Sequence, residues 1–292
     1  MIAPETGPAL PRTVSRSRRV RNRAFTVAVW TCGLIALLPL VLICFYVIVR
    51  GAKALNLDFF TKEPNPSSIS SGGIVQSFIG TGLIMGMALL FSVPLGLLSG
   101  VYLSEYGRGR FAGFIRFIAE ILLSTPSIVA GAFIWLVVVV AMGTFSAFAA
   151  ALALTVLMWP ILTRATEEIL RLVPDDLREA GLALGLPRWR VILRVVIPTA
   201  GSGISTAIML AVARGMGETA PILLTALGSY FINTNPGAPT DAVPLRIYFY
   251  AGSPVVQFHA IAWGAAMTLL AVVLVLSITA RVLSHRQQAR VR

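Results

Sequence analysis

The chain has 292 residues, of which 57% are hydrophobic and only 12% are charged. Soluble globular domains carry about 25% charged residues, so this composition excludes an ordinary soluble protein and indicates a membrane protein. Twenty-four basic residues against twelve acidic ones give a formal net charge of +12. The basic residues cluster between long apolar runs, which is typical of the cytoplasmic side of a membrane protein and argues against a nucleic-acid-binding surface.

Six apolar segments are long enough to cross a bilayer, which requires about 20 apolar residues per helix. The first follows an arginine-rich tail, residues 1–24, and is too long for the apolar core of a cleaved signal peptide, so we expect a retained signal anchor. Only Met142-Gly143-Thr144 separates the third segment from the fourth, which predicts an antiparallel helical hairpin. The sequence therefore predicts an all-α, polytopic membrane protein with transmembrane helices at 25–49, 74–103, 118–142, 145–163, 199–230 and 256–280.

The distribution of basic residues predicts that both termini are cytoplasmic. With the N-terminus inside, the basic residues of the outer segments are Arg50, Lys53, Lys62 and Arg246, Arg214 lies within a span, and the others are cytoplasmic. Positive charge is enriched on the cytoplasmic side of membrane proteins. The expected organisation is cytoplasmic tails at 1–24 and 282–292, an external loop at 50–73 and a transmembrane domain at 74–281.

The longest cytoplasmic connection, residues 164–198, has the pattern of a helix, a turn and a second helix. Asp175 and Asp176 suit the first turn of a helix, and Gly185-Leu186-Pro187 interrupts the chain. Two interpretations are open on these features alone. One is a hairpin lying in the lipid headgroup layer, which the arginines between 188 and 194 would permit. The other is a docking element for a soluble partner.

The same connection contains a spaced motif, in which Glu179-Ala180-Gly181 is followed by Gly185 and then by Val195 and Ile197-Pro198. This spacing resembles the EAA loop of ABC-importer permeases. It departs from that pattern in Gly181, where the family usually has Ala, and in Val195 and Ile197, which replace Ile and Leu. In that family the loop inserts into a groove on the ATPase subunit. The resemblance implies that Glu179, Ala180 and Gly185 couple this chain to a separate ATPase, with the glycine providing the turn.

The fifth apolar segment contains two charges four residues apart, Arg214 and Glu218, which a helix places on one face. A charge at mid-bilayer costs about 2.5–3.5 kcal/mol on insertion-based scales, so the two must pair or face a polar cavity. Two roles are open. The pair either fixes helix packing or belongs to a substrate pathway, in which Arg214 binds an anion transiently and Glu218 limits its retention. Pro221 favours a local opening of the helix.

Segments along most of the chain carry a wider resemblance. The stretch 213–226, which includes Thr219-Ala220-Pro221, resembles the fifth-span signature of the PstA-type permease family of phosphate ABC importers. Matching segments elsewhere are Gly72-Gly73-Ile74, Val93-Pro94-Leu95-Gly96, Tyr102-Leu103-Ser104-Glu105-Tyr106, Pro126-Ser127-Ile128-Val129, Pro244-Leu245-Arg246-Ile247-Tyr248 and Trp263-Gly264-Ala265-Ala266. Together these segments cover nearly all of residues 72–270.

The resemblance implies a type I ABC importer permease in the bacterial cytoplasmic (inner) membrane. Such a subunit forms half of an inward pathway for inorganic phosphate. The implied partners are a C-type phosphate permease subunit, two copies of an ATP-binding subunit, an external phosphate-binding protein, phosphate itself and the lipid bilayer. ATP and magnesium would bind to the ATPase subunits, and we expect no cofactor on this chain and no nucleic acid partner.

No catalytic or metal-binding pattern is visible in the sequence. The lysines, Lys53 and Lys62, are both external, so no P-loop lysine is available on the cytoplasmic side and the chain is not expected to be an enzyme. His259 and His285 are isolated from other potential metal ligands. Two classes remain as alternatives: a permease for another solute, such as molybdate or a polyamine, and a signalling or scaffold subunit. Arg214 argues against a cationic solute.

Two carboxylates near the cytoplasmic ends of the spans are expected to form local ion pairs. Glu120 lies four residues after Arg116, a spacing that brings two side chains together on a helix. Glu105 lies three residues before Arg108 and is expected to pair with it in the same way.

Overall fold

The computed structural model describes residues 16–64 and 72–291. The chain divides into two units, residues 1–49 and 50–292. In its described part the first unit is helical: helix α1, Arg16–Gly51, passes through it and ends just beyond its boundary. The predicted tail 1–24 is therefore helical from Arg16 onward, and its first 15 residues lie outside the described part.

The described residues of the second unit are mostly helical, with one isolated bridge between Leu227 and Thr240. The helices are α2 Leu57–Thr61, α3 Val75–Tyr106, α4 Arg110–Ser124, α5 Ser127–Met142, α6 Ala147–Arg171, α7 Asp175–Ala183, α8 Arg188–Met216, α9 Ala220–Ala226, α10 Val243–Ala251 and α11 Val256–Val291. Three of these helices, α3, α5 and α8, each contain one π-helical turn. This confirms the predicted all-α fold.

Among the described residues, five helices are long and apolar enough to cross a bilayer: α1, α3, α6, α8 and α11. Helices α4 and α5 pass the same test only as a pair, which is bent by 108°. Counted as one span, the pair corresponds to the third predicted segment and brings the number of spans to the six predicted. The prediction of a single helix over 118–142 was wrong, because Thr125 and Pro126 both have extended backbone angles. A proline disfavours helical angles in the residue before it and lacks the N–H that would continue the helix.

The connection between α6 and α8, which was predicted to be cytoplasmic, is shorter than predicted. Helix α6 continues to Arg171 and α8 begins at Arg188, so about half of the predicted loop 164–198 is part of the long helices. Pro198, the last residue of the spaced motif, lies inside α8. It follows the π-helical turn Ile192–Val196 and sits in the first turn of the next α-helical segment, where its missing N–H costs little.

Helix α6 is the centre of the second unit and packs most extensively against α3. Gly96 and Gly100 of α3 lie directly against Leu162 and Thr166 of α6, so that a Cβ on either glycine would lie only 2.5 Å from the Cβ of its neighbour. Small residues spaced in this way allow membrane helices to approach closely. Five fully buried alanines continue the close packing near the start of α6: Ala147, Ala149, Ala150, Ala151 and Ala153.

Candidate functional site

The first candidate site is a break in the helix at the charged pair. Helix α8 ends at Met216, and α9 begins at Ala220 with Pro221 in its first turn. The predicted continuous span over 199–230 was therefore wrong. The chain turns at Gly217 and Glu218, whose N–H groups donate to the carbonyls of Arg214 and Gly215 at 3.1 and 3.2 Å. The break leaves backbone carbonyls near the charged side chains without the bonds of a regular helix.

Arg214 and Glu218 face each other across this break. The Arg214 Nε lies 3.6 Å from the Glu218 Oε1, and the exposed fractions of the two side chains are 61% and 17%. The arginine side chain is thus exposed on the surface of the described chain, and the glutamate side chain is largely covered. An exposed pair at this separation contributes little to stability, which leaves the guanidinium available to an anion at the same face.

Close helix contacts fix the position of the break. A Cβ on Gly215 would lie 3.1 Å from Met158 of α6 and also from Met85 of α3. On the other side, Gly131 of α5 packs against Pro221, and a Cβ on this glycine would lie 2.6 Å from the Cα of Pro221. These glycines let α8 and α9 approach their neighbours more closely than any larger residue would permit. The charged pair is therefore carried on a rigid support of packed helices.

A buried ionic cluster that sequence reasoning missed lies after α9. The Nε of Arg246 donates to Asp241 Oδ2 at 2.8 Å. Its Nη2 lies 2.8 Å from the same oxygen and donates to the Ser229 carbonyl at 2.7 Å. Gln76 donates to the same carboxylate oxygen at 3.2 Å, and Ser77 donates to it as well. The cluster ties the loop after α9 and the start of α10 to the first turn of α3.

Burial and the arginine act in opposite directions on Asp241. Desolvation of the buried carboxylate raises the pKa of Asp241, and the adjacent Arg246 partly offsets the rise. The guanidinium also lies over the rings of Tyr230 and Tyr250, 4.6 and 5.1 Å from their centroids. Arg246 was predicted only as a residue of an outer loop. A signal was nevertheless present, because an arginine within the apolar run 243–251 requires a partner.

The second candidate site is the predicted ATPase-coupling loop between α6 and α8, residues 172–187, which we call the coupling loop and whose centre is the short helix α7. Glu179 and Ala180 lie exposed on α7. Gly181 is buried against Val191, and a Cβ on this glycine would lie 3.1 Å from the Val191 side chain. Gly185 follows the helix with a φ of +77° and open space around it. This left-handed conformation favours glycine, which agrees with the turn expected at this position. The structure thus presents the outer face of α7 to solvent.

A nearly buried ion pair fastens α7 to the end of α3. Arg178 Nη2 lies 2.9 Å from Glu105 Oε1, and the same arginine donates to the carbonyls of Leu170 and Val173. Arg188 donates to the backbone carbonyl of Glu105. The expected pair of Glu105 with its near neighbour Arg108 was wrong, because the π-helical end of α3 turns the carboxylate towards α7.

The carboxylate of Glu167 binds three arginines near the C-terminal end of α6. It accepts from Arg116 at 2.9 Å, from Arg164 at 3.4 Å and from Arg171 at 2.6 Å. The predicted pair of Arg116 with Glu120 was therefore wrong, since Arg116 crosses to α6 and Glu120 faces Arg164 at 3.5 Å instead. One deeply buried carboxylate thus joins α4 to α6 below the coupling loop.

The model of the family described as "Binding-protein-dependent transport system inner membrane component" matches residues 92–289. The chain belongs to this family. The matched range covers both candidate sites, the helix break at Arg214 and the coupling loop around α7. Membership makes the protein a multi-pass inner-membrane permease subunit of an ABC transporter, in which a separate subunit hydrolyses ATP. The prediction of a transport permease that is not itself an enzyme is confirmed.

Curated relatives cover almost the whole permease. "Phosphate transport system permease protein PstA" of Yersinia pestis is 41% identical over 272 residues, which cover 93% of this chain and 92% of the relative. The protein of the same name from Haemophilus influenzae is 41% identical over 90% of this chain and 94% of the relative. "Phosphate transport system permease protein PstA 1" of Mycobacterium tuberculosis H37Rv is 40% identical over 94% of this chain and 90% of the relative.

Solved structures share the fold of the permease. A bacterial alginate ABC transporter in complex with its alginate-bound periplasmic protein is similar with a TM-score of 0.66 at 15% identity, over 92% of this chain and 96% of that one. The MetNI methionine ABC transporter in an inward-facing conformation matches with a TM-score of 0.56 at 19% identity, over 74% and 94%. At these identities the likeness establishes the type I importer permease architecture and nothing about the solute.

Proposed function

We propose that this permease forms half of the pathway by which an ATP-driven importer moves inorganic phosphate into the cell. The observation that carries the proposal is the identity of about two residues in five to phosphate permeases over nearly their full length. The exposed Arg214 at the helix break supports it, because a guanidinium is suited to phosphate oxygens. Its proposed role is to hold phosphate briefly, while Glu218 keeps the contact weak enough for release.

The proposal includes the partners and the orientation. A C-type permease subunit would complete the pathway, two ATP-binding subunits would carry ATP and magnesium, and an external phosphate-binding protein would deliver the solute. Both termini would be cytoplasmic, as the arrangement of basic residues predicts. Glu179 and Ala180 on α7, with the turn at Gly185, would dock in the ATPase. Nucleotide-driven movement of the ATPases would then move α7 as a rigid lever.

The pathway role is tested by the Arg214→Gln variant in a host that lacks its own phosphate permease of this type. We expect uptake of radiolabelled phosphate to fall by about tenfold or more, because a charged hydrogen bond to the moving anion is lost. Arg214→Lys keeps the charge and should retain part of the uptake. The control is Arg110→Gln, an exposed arginine on α4 that should leave uptake unchanged. Normal uptake by Arg214→Gln at normal membrane abundance would contradict the role.

The docking role is tested by Gly185→Asp. A side chain at a φ of +77° is strained, and an added carboxylate would change the surface beside α7. We expect normal amounts of permease in the membrane, with phosphate uptake and ATPase co-purification both reduced. Gly113→Asp places the same charge at an exposed glycine with open space around it and serves as the matched control. Full transport by Gly185→Asp would mean that this turn does not contact the ATPase.

Measurements on the wild-type complex separate the proposal from its two alternatives. Competition of phosphate uptake by molybdate or another oxyanion, at equal concentration, would reveal a permease for a different solute. Purification of the permease with a kinase or regulator, and with no ATP-binding chain, would identify a signalling subunit. Purification with an ATP-binding chain and phosphate-selective uptake would support the proposal against both.

A further inference from the structure

A polar cavity of about 430 Å³ opens between the end of α3 and the coupling helix α7. Its size lies within the range of about 300–1,000 Å³ that is usual for small-molecule sites. Most of its surface is polar, and neither Arg214 nor Glu218 contributes to it. The lining consists of residues 103–108 together with Arg171, Asp175, Arg178 and Arg188. We call it the arginine cavity.

Of the four arginines in the cavity lining, Arg178 pairs with both carboxylates of the lining, Glu105 and Asp175. Arg178 donates to Glu105 Oε1 from Nε at 3.3 Å and from Nη2 at 2.9 Å, and to Asp175 Oδ1 from Nη1 at 3.0 Å. Its remaining bonds go to backbone carbonyls. Arg178 and the two acids therefore form a closed unit of the cavity wall. They leave the charge of the other three arginines without a balancing carboxylate in the lining.

These three arginines retain donors that the chain does not use fully. Arg171 shares the single carboxylate of Glu167 with two other arginines. Arg188 donates to the Glu105 carbonyl, which is a neutral acceptor, and its guanidinium lies 5.0 Å from the Tyr106 ring centroid. Arg108 is exposed, and no ion pair joins it to any residue that the structure describes. Excess positive charge therefore surrounds the cavity.

A neutral donor completes the set. The hydroxyl oxygen of Ser104 is buried and has no hydrogen-bond partner within residues 16–64 and 72–291. Ser104 is itself part of the cavity lining. A buried hydroxyl without a partner costs about 1–3 kcal/mol, so rotation of the Ser104 side chain towards an acceptor in the cavity would stabilise it. Guanidinium groups and a hydroxyl around a polar space are the donor set that a phosphoryl oxyanion requires.

We propose that the arginine cavity binds a phosphoryl oxyanion, with Arg108, Arg171 and Arg188 as charged donors and Ser104 as a neutral donor. The ligand is free phosphate or the phosphate of an anionic lipid headgroup, since both present the same oxygens. The three arginines follow α3, end α6 and begin α8, so the bound anion would connect three elements beside α7. This goes beyond the proposed function, because the site would exist whichever solute the pathway carries.

The test uses the purified permease complex in nanodiscs of zwitterionic lipid, with Arg214→Gln as the background so that phosphate held at that residue is removed. Equilibrium dialysis with radiolabelled inorganic phosphate measures the free anion. Native mass spectrometry after reconstitution with phosphatidylglycerol measures the headgroup. The double variant Arg108→Gln, Arg171→Gln removes two charged donors from the cavity. Arg110→Gln, two residues from Arg108 but outside the lining, is the matched control.

We expect the double variant to bind at least about tenfold more weakly than the control, because a hydrogen bond to a charged group contributes about that factor or more. Loss of phosphate binding identifies the free anion, and loss of retained phosphatidylglycerol alone identifies the headgroup. Equal binding of both ligands by the double variant and the control would overturn the proposal. So would loss of ATPase subunits with no change in anion binding, which would make the cavity a protein-docking surface.

A single substitution protects the test against a folding defect. Arg171 binds Glu167, so its replacement disturbs an existing contact, whereas Arg108 has no such ion pair in the described chain. Arg108→Gln alone should assemble normally and still bind the anion about tenfold more weakly. Unchanged binding of both phosphate and phosphatidylglycerol by this variant would also overturn the proposal. Neither result depends on whether phosphate is the transported solute.

Discussion

Arg246 is the largest fully buried side chain of the described residues, with only 2% of it exposed. A buried charge is tolerated when it is paired and its hydrogen-bonding groups are satisfied. Asp241 supplies the countercharge, the Ser229 carbonyl accepts a further bond, and two tyrosine rings cover the guanidinium. Arg246 therefore holds the end of the loop after α9 to α10 through Asp241, whose carboxylate also binds Gln76 and Ser77 of α3.

Arg246→Gln is expected to destabilise the folded permease by about 3–5 kcal/mol, the usual cost of removing one partner from a buried ion pair. The carboxylate of Asp241 would remain buried without its countercharge. Thermal unfolding of the purified protein in detergent measures the effect. The double variant Asp241→Asn, Arg246→Gln removes both charges and should lose less stability than the single variant. Equal unfolding temperatures for wild type and Arg246→Gln would show that the pair does not hold the loop.

The stability of Arg246→Gln should also depend on pH. Arg246 lowers the pKa of Asp241 while burial raises it, so removing the arginine raises this pKa further. A raised carboxyl pKa in the folded state gives stability that is present at low pH and is lost as pH rises through that pKa. The gap in unfolding temperature between the variant and wild type should therefore narrow as pH falls from about 8 to about 5.

The contact partners of individual charged side chains were the feature hardest to predict from the sequence. Arg214 and Glu218 stand out because they are four residues apart within an apolar run, and the structure does place them close together. The countercharge of Arg246 is Asp241, which lies five residues before it, outside the spacing of three or four that pairs side chains on a helix. The partner of Glu105 is Arg178, 73 residues away, so no local spacing could reveal it. Arg116 was assigned to the nearest carboxylate on its own helix, yet it binds Glu167, 51 residues away.

Among the elements, the long helices were predicted well and their interruptions poorly. Hydropathy finds an apolar run whether or not the helix is continuous, so it could not separate α4 from α5 or α8 from α9. A proline lies at each break: Pro221 was predicted to open the helix locally, whereas Pro126 was given too little weight. A proline after an extended residue bends the chain, whereas a proline after a π-helical turn is accommodated.

The ion pair between Glu105 and Arg178 is expected to transmit movement of α7 to α3. Both side chains are largely buried, at 5% and 18% exposed, and the pair joins α7 directly to the π-helical end of α3. Glu105→Gln or Arg178→Gln should lower the ratio of solute taken up to ATP hydrolysed by about fivefold or more, which is the factor that corresponds to the smallest typical coupling energy between two sites. Uptake and hydrolysis are measured together in proteoliposomes that contain the whole complex.

The exchanged variant Glu105→Arg, Arg178→Glu is the control for this pair. It restores opposite charges across the same contact and should recover part of the coupling lost by the single variants. A purely structural role would reduce uptake and hydrolysis together through loss of folded complex, leaving their ratio unchanged. That outcome would contradict transmission through the pair.

At the scale of the whole molecule, the two candidate sites lie at opposite ends of one helix. Helix α8 begins at Arg188, beside the coupling helix, and ends at Met216, beside the break that carries Arg214 and Glu218. At about 1.5 Å per residue, this helix of 29 residues spans about 44 Å, more than the hydrocarbon core of a bilayer. A rigid helix of this length provides a direct mechanical connection between the face that would meet an ATPase and the charged break.

This arrangement requires α7 and the loop after α9 to lie on opposite sides of the membrane, and the basic residues predict which side is which. In a background with Cys32→Ala and Cys44→Ala, Leu172→Cys places an exposed thiol before α7, and Thr234→Cys places one in the loop after α9. A membrane-impermeant maleimide should label Thr234→Cys in intact spheroplasts and Leu172→Cys only in inverted vesicles. The cysteine-free background shows the level of unspecific labelling. Labelling of Leu172→Cys from outside would reverse the orientation and place α7 where no cytoplasmic ATPase could reach it.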